Sequence, residues 1–287
     1  MATLRGDRLR DDPAFPILKE AVIALTGLAY WRDKDEMLAD LLAAVLERRR
    51  EPAATLLQRL QVELGRGPAS EAVVDAVTVG ETFFFRYQAQ FDALERRVIP
   101  DVLARNQFNR SLALWSAGCS NGAEAYSLSM LLRRRFAAPL AGWRLDILGT
   151  DISIAALAEA HAGEYGAWTI RDLPEDLRQD GFVVHGQRWR VKARFRHDVR
   201  FIRHNLVSQL PPGDGFDVVL CRNVLMYFDA PTRLRVLRHL SAAVAPGGWL
   251  LVGHAEVGPP VSDFFRPVVL PDCTLYQRPP LTAEAWG

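Results

Sequence analysis

The segment Leu112–Met130, reading LALWSAGCSNGAEAYSLSM, constrains the fold more than any other part of this chain. An apolar run, Leu112 to Trp115, enters a turn of small residues, Ser116 to Gly122, and a helical pattern begins near Ala123. Strand, glycine-bearing loop and helix in that order open a nucleotide-binding βα unit. Gly118 and Gly122 carry no Cβ, so the backbone can approach a ligand closely there. The helix N-terminus behind them offers unpaired N–H groups. Asp151 follows the next apolar run, Leu145 to Gly149. A carboxylate in that place suits a ribose diol. The loop lacks the GxGxxG spacing, which speaks against a nicotinamide dehydrogenase.

Composition narrows the classes further. The chain has 287 residues, 49% hydrophobic and 24% charged, which suits one large domain or two smaller ones. A formal net charge of +1 gives no global field toward polyanions, so neither a nucleic-acid partner nor direct membrane insertion is expected. Cys119, Cys221 and Cys273 are far apart and odd in number, which argues against a disulfide framework. No CxxC pair, HExxH motif or His–carboxylate cluster supports a metal site. Reduced thiols in a cytoplasmic protein, expected to be a monomer, are the plain reading. Residues 1–12 are charged and lack the apolar core of a signal peptide. The longest apolar stretch, Ala21 to Trp31, is broken by Thr26 and Gly27 and is too short to span a bilayer.

Two regions differ in pattern. Residues 15 to about 77 read as helices, with Leu38, Leu41, Leu42, Val45 and Leu46 on one face and Arg48–Arg50 closing the run. This gives an N-terminal all-α domain with its linker over 1–85. From Leu112 the pattern becomes α/β, and the second domain is placed over 86–287. Strands are expected at 112–116, 145–149, 200–202, 216–221, 248–253 and 274–277, with helices at 123–136, 153–162 and 231–244. That alternation predicts a mostly parallel sheet covered on both faces. The short stretch beyond the last strand leaves no room for an appended helical-repeat domain. Arg188 to Arg196 breaks the rhythm: Arg188, Arg190, Lys192, Arg194 and Arg196 alternate with Trp189, Val191, Ala193 and Phe195. Period two predicts a strand within a small antiparallel insert over 166–199. Its basic face reads either as a solvated surface or as a docking surface for an acidic partner.

Four more stretches combine with the glycine loop. TVGETFFFR, Thr78 to Arg86, ends the helical region. His204-Asn205-Leu206 follows a short apolar run. FDVVLCRNVLMYFD, Phe216 to Asp229, delivers Cys221, Arg222 and Asn223 at the carboxyl end of a strand. Gly253-His254-Ala255-Glu256 follows another strand. Open α/β sheets bind ligands at such ends. Each stretch alone is also compatible with capping or core packing; together they supply polar groups that one crevice can collect.

With WSAGCSNGAEAYSL, GTDIS, HNL, FDVVLCRNVLMYFD and APGGWLLVGHAE preceded by TVGETFFFR, the chain resembles the CheR-type chemotaxis protein methyltransferases from about residue 15 to 278. The resemblance implies a Rossmann-like S-adenosylmethionine-dependent methyltransferase sheet, a small inserted antiparallel β-subdomain and an N-terminal all-α domain. It implies methyl transfer to glutamates on an acidic helical cytoplasmic region of a chemoreceptor-like protein, with S-adenosylhomocysteine as product. Thr82, Arg86, Glu124, Asp151, Asn205, Leu206, Cys221 and Arg222 would contact the cofactor, joined by Gly80, Gly118 and Asn223. Arg86, Arg222 and Tyr227 would be catalytic, with Tyr227 near the methyl group and the substrate carboxylate.

The chemistry agrees with that set. A glutamate with a free pKa of about 4.3 is ionised at neutral pH, so no strong general base is needed. Positioning alone can supply roughly 7–11 kcal/mol in well-oriented reactions. Arg86 or Arg222 can orient a carboxylate through forked donors, and Tyr227 can donate to the same group. Some positions depart from the family pattern. Gly80 stands where many members have Asn, Ala123 replaces the first of two Glu residues, and Ala125 replaces a usual Pro. Asp40 falls where Arg is frequent, beside Asp33, Asp35 and Glu36, where relatives present a basic face to acidic receptor helices. Two other readings therefore remain: a methyltransferase for a non-chemotaxis protein or small acid, and a non-catalytic receptor-binding module.

Overall fold

A computed structural model describes residues 3–280. The segment that bears on an appended domain, 281–287, lies outside the described residues. The chain opens with α1 (Thr3–Arg10), α2 (Phe15–Thr26), α3 (Asp35–Arg49), α4 (Ala53–Glu63) and α5 (Pro68–Val77). Their apolar faces close on one core containing Leu18, Val22, Leu38, Leu42, Leu56 and Val73. Gly27 ends α2 in the left-handed region, at φ 75°, and gives its N–H to the Ile23 carbonyl. That C-cap ends the helix and lets the chain turn into the short 3-10 segment Ala29–Trp31, whose Trp31 packs into the bundle core. Trp31 is buried and donates from Nε1 to the Val77 carbonyl at 3.1 Å. α1, unforeseen from the sequence, lies across α3: a Cβ at Gly6 would sit 1.9 Å from Asp40 Oδ1. Asp40 is therefore half-covered rather than displayed on an open acidic face.

Next come α6 (Gln88–Ala93) and α7 (Ile99–Arg105), joined through a π turn at Leu94–Val98. Pro100, at the start of α7, has no N–H and its ring crowds the preceding turn; the wider π geometry relieves both. The α/β part follows as β1 (Ser111–Ala117), α8 (Ala123–Arg135), β2 (Arg144–Asp151), α9 (Ile154–Ala162), β3 (Glu164–Tyr165), α10 (Glu175–Gly181), β4 (Phe182–His185), β5 (Arg188–Val191) and α11 (Ala193–Arg196). It ends with β6 (Val199–Arg203), β7 (Phe216–Cys221), α12 (Ala230–Ala243), β8 (Val244–Val252), β9 (Arg266–Val269) and β10 (Thr274–Gln277).

Seven strands form one sheet in the order β6-β2-β1-β7-β8-β10-β9. The first five run parallel; β10 pairs antiparallel with β8, and β9 antiparallel with β10 at the edge. The fold is the Rossmann-like α/β class the sequence predicts. Strand order reverses at β1, between β2 and β7, so a crevice opens beyond the carboxyl ends of β1 and β7. At the opposite end Asp217 ties the sheet to α7. Its Oδ1 accepts from Arg105 Nη2 and Asn106 Nδ2, both at 2.8 Å, and its Oδ2 from the Ala113 N–H at 2.9 Å.

The basic strand needs correction. Alternation holds only over Arg188–Val191; the chain then turns, and Ala193–Arg196 is a helical turn. Phe195 must enter the core, where it is 1% exposed, and a helical turn directs it there. The three-stranded sheet β3-β5-β4 draws in Glu164 and Tyr165 from upstream. The basic side chains are engaged within the protein. Arg190 pairs with Glu164, Arg194 with Asp180, and Lys192 donates to the Gln179 carbonyl. Arg188 and Arg196 donate to the carbonyls of Glu164 and His161. Two of the five cations are ion-paired and three meet carbonyls, while Arg188 and Arg194 stay exposed.

Asp217 is 7% exposed and answers three donors. Asp217→Ala is expected to lower stability by about 3 kcal/mol, read as a shift in the urea midpoint at unchanged m-value.

Candidate active site

At the carboxyl end of β1 the backbone turns through Gly118 at φ 75°, Ser120 at 51° and Gly122 at 83°. The amides of Gly118 and Cys119 both donate to the Thr150 carbonyl at 2.8 Å, which lashes the loop to the tip of β2. A Cβ on Gly118 would stand 2.6 Å from Val224 Cγ2, and one on Gly122 would stand 2.8 Å from Ala160 and Phe201. Both glycines are required by packing as well as by φ. Asp151, at the end of β2, accepts from the Ser120 N–H at 2.8 Å and the Ser153 N–H at 2.9 Å. Burial pushes its carboxyl above the usual aspartate range, against the pull of those two amides.

A buried ion pair forms the floor. Arg222, 3% exposed, donates from Nη1 to Glu124 Oε2 at 2.9 Å, and Glu124 Oε1 accepts from Ser116 Oγ at 2.7 Å. Arg222 Nη2 donates to the carbonyl of Arg86. Its plane faces the rings of Tyr87 and Phe91, at 5.3 and 5.7 Å. Both ends of the guanidinium fork are committed inside the protein. These two bonds fix the position of the Arg222 guanidinium and engage two of its five N–H donors.

The FFR element divides its work. Phe84 is 1% exposed and stands edge-on to Tyr165 and Phe182, each at 4.9 Å. Phe83 lines the crevice, and Phe85 packs on Phe91 at 4.8 Å. Arg86 gives Nη1 to the Glu81 carbonyl at 2.9 Å and makes no ion pair among the described residues. Gly80 accepts from Ser120 Oγ at 2.8 Å through its carbonyl. Facing them, Tyr227 stands edge-on to Tyr30, with centroids 5.4 Å apart. The Tyr227 hydroxyl has no hydrogen-bond partner among the described residues. Burial foremost, and then Tyr30, raise its phenol above the ordinary tyrosine value, with Arg86 opposing.

One crevice of about 1130 Å³, its open mouth included, collects Gly80, Thr82, Arg86, Gly118, Glu124 and Asp151. Asn205, Leu206, Arg222, Asn223 and Tyr227 line it too. Cys221 does not. It is 0% exposed inside the sheet, its thiol pushed well above the usual range by burial, because strand alternation turns its side chain into the core. The Asn205 side chain is engaged by its own turn and by the helical bundle: Oδ1 accepts from the Val207 N–H at 2.9 Å and Nδ2 donates to the Leu25 carbonyl at 3.0 Å. His254 stays exposed outside the crevice. Sequence reasoning missed Leu28, Tyr30 and Trp31, which the helical bundle contributes. Gly27, read as a helix stop, could have flagged that segment.

The comparisons with known proteins agree with this geometry. Residues 80–271 match the family described as "CheR methyltransferase, SAM binding domain". The chain belongs to the CheR methyltransferase family. It is 33% identical over 256 residues to the chemotaxis protein methyltransferase Cher2 of Pseudomonas putida, covering 88% of this chain and 92% of that protein. It is 34% identical over 247 residues to chemotaxis protein methyltransferase 1 of Pseudomonas aeruginosa, covering 84% and 89%. This CheR family member is an S-adenosylmethionine-dependent chemotaxis methyltransferase. The crevice fits the cofactor in chemistry. It has a carboxylate beside a glycine turn, and Arg222 Nε and Asn223 Oδ1 are buried there without a partner.

Glu124→Ala would leave the Arg222 charge buried and unanswered. A loss of about 3–5 kcal/mol in chemical denaturation is expected. Adding Arg222→Met should recover part of it, because no lone buried charge then remains.

Proposed function

We propose that this enzyme forms methyl esters on glutamate side chains of a chemoreceptor-type protein, within the cytoplasm. The observation that carries this reading is the pair of donors at the crevice mouth: Tyr227, whose hydroxyl is unclaimed, and Arg86, whose charge is unpaired. A charged donor and a neutral one converging on one opening suit a carboxylate. S-adenosylmethionine, when bound, supplies a sulfonium methyl that a carboxylate oxygen takes by in-line displacement, leaving S-adenosylhomocysteine.

The chain's own groups then have separate tasks. Asp151 accepts the ribose hydroxyls with lone pairs its two amide donors leave over. Gly80 and Gly118 let backbone come close. Thr82, Leu206 and Asn223 line the same space, and Asn205 shapes it through its turn. Glu124 and Arg222 hold the floor. Arg86 and Tyr227 orient the incoming carboxylate, and the raised phenol stays protonated as a donor at neutral pH. Phe83 and Tyr30 narrow the approach and exclude water. No proton need be removed from an acceptor that is already ionised.

A second reading keeps the chemistry and changes the acceptor. The exposed Asp33 and the neighbouring Glu36 favour it, since they would repel an acidic helix. Labelled cofactor and a panel of receptor cytoplasmic fragments separate the two. Base-labile label on glutamate is expected under the leading reading. Label on no fragment would favour the second.

On a fragment that accepts methyl groups, Tyr227→Phe should lower kcat about 10- to 100-fold, the worth of one hydrogen bond to a charged group. Affinity for S-adenosylhomocysteine should stay within about threefold. Acidification should weaken that affinity at a pH above the ordinary aspartate pKa of 3.8, since the ionised Asp151 accepts and is lost as pH falls through its raised value. Calorimetry across pH checks this, and Asp151→Asn should abolish the dependence.

A further inference from the structure

Glu256 lines no part of the crevice, yet its carboxylate answers three backbone amides around the turn that does. Oε2 accepts from the Gly253 N–H at 2.6 Å and the Asn223 N–H at 2.8 Å. Oε1 accepts from the Met226 N–H at 3.1 Å. Asn223 and Met226 bracket the turn after β7 that ends in the short 3-10 segment Leu225–Tyr227. Asn223 sits at φ 59°, a left-handed backbone uncommon for a residue other than glycine. Such strain persists only where surrounding contacts over-determine it. Gly253 makes the approach possible: a Cβ there would lie 2.6 Å from Glu256 Oε2 and 2.8 Å from the Asn223 nitrogen.

We infer that Glu256 is a positioning residue for methyl transfer, its carboxylate clamping the Asn223–Met226 turn to the end of β8 so that Tyr227 is presented to the acceptor. This rests on the proposed role of Tyr227. The donor set explains why a carboxylate is needed. All three groups are N–H donors, and only an ionised carboxyl accepts on both oxygens. Glutamine has the same shape but would turn its NH2 toward one of those donors. The clamp joins two parallel neighbours, β7 and β8, at the end of the sheet where the crevice opens. It therefore sets Tyr227 relative to the strands rather than relative to its own loop.

The full chain with Glu256→Gln, and separately Glu256→Ala, tests this. Both should lower kcat on an accepted receptor fragment about tenfold or more, with a smaller loss of S-adenosylhomocysteine affinity through Asn223 and with β7 and β8 amides as protected as in the parent. The amides of Asn223 and Met226 should exchange about tenfold faster or more. In a Tyr227→Phe background the Glu256→Gln change should cost less than about twofold further, because it acts through the side chain already removed. A kcat within about twofold of the parent, or full additivity with Tyr227→Phe, would overturn the inference. So would cofactor affinity falling as far as kcat, with the melting temperature lowered too, which marks general structural support. If the parent chain methylates no acceptor, the proposed function fails by itself. The exchange arm still decides Glu256: unchanged protection of Asn223 and Met226 in both variants would sink the clamp.

Discussion

The guanidinium of Arg222 is the point on which the crevice turns. It leaves β7, reaches Glu124 on α8, and meets the carbonyl of Arg86 from the FFR element. Glu124 in turn holds Ser116 of β1. Three regions distant in sequence, the β1–α8 unit, the FFR element and the end of β7, are thereby indexed to one buried charge. Such pairs add little net stability against an apolar replacement, because desolvation offsets most of the attraction. Their effect is geometric. An unsatisfied buried ion is costly enough that each partner must arrive in place, and the Arg86 backbone is held by that requirement.

A seam with the helical bundle closes the other wall. Asp75 on α5 accepts from Ser153 Oγ at 2.7 Å, and so reaches the helix start beside Asp151. Arg203, at the end of β6, donates to the Gly65 carbonyl at 2.8 Å and faces Glu71. Leu28 and Phe228 form an isolated antiparallel bridge, which brings the chain before Tyr30 against the chain after Tyr227. The bundle is thus part of the crevice and supplies its aromatic lid. Strained backbone gathers here as well. Ser120 and Asn223, which line the crevice, lie at positive φ, as do Phe85 and Tyr87 on either side of Arg86; Arg50 and Leu64 do so at helix C-caps and Arg110 before β1.

Much of this was legible from local pattern. β1, its glycine turn and α8 follow from an apolar run, two glycines and a helical period. Asp151 and Arg222 at one opening follow from polar groups at the carboxyl ends of parallel strands, whereas Arg86, Glu124 and Tyr227 are expected there only from the family resemblance. What misled was periodicity read without context. Arg188–Arg196 alternates faultlessly, but the core demanded Phe195 from a helical turn. Cys221 ends a strand pointing at the crevice, yet the pleat sends its side chain the other way. α1, α6, α7 and β9 carried weak patterns: the helices are short, and β9 is a mostly exposed edge strand.

The sequence by itself determined the order of strands and helices, the turn that admits a nucleoside, and the kinds of side chain delivered to the strand ends. These depend on local period, on φ at glycine and on the direction of parallel strands. Only tertiary structure decided which of those side chains remain free. Arg86 and Arg222 are the same residue type at equally suggestive places. Arg222 pairs with Glu124 and a carbonyl, whereas Arg86 donates to the Glu81 carbonyl and meets no carboxylate among the described residues. Glu256 likewise became a clamp because three amides from two strands converge on it. Whether a donor or acceptor is satisfied is a sum over neighbours from distant segments, and no local pattern carries that sum.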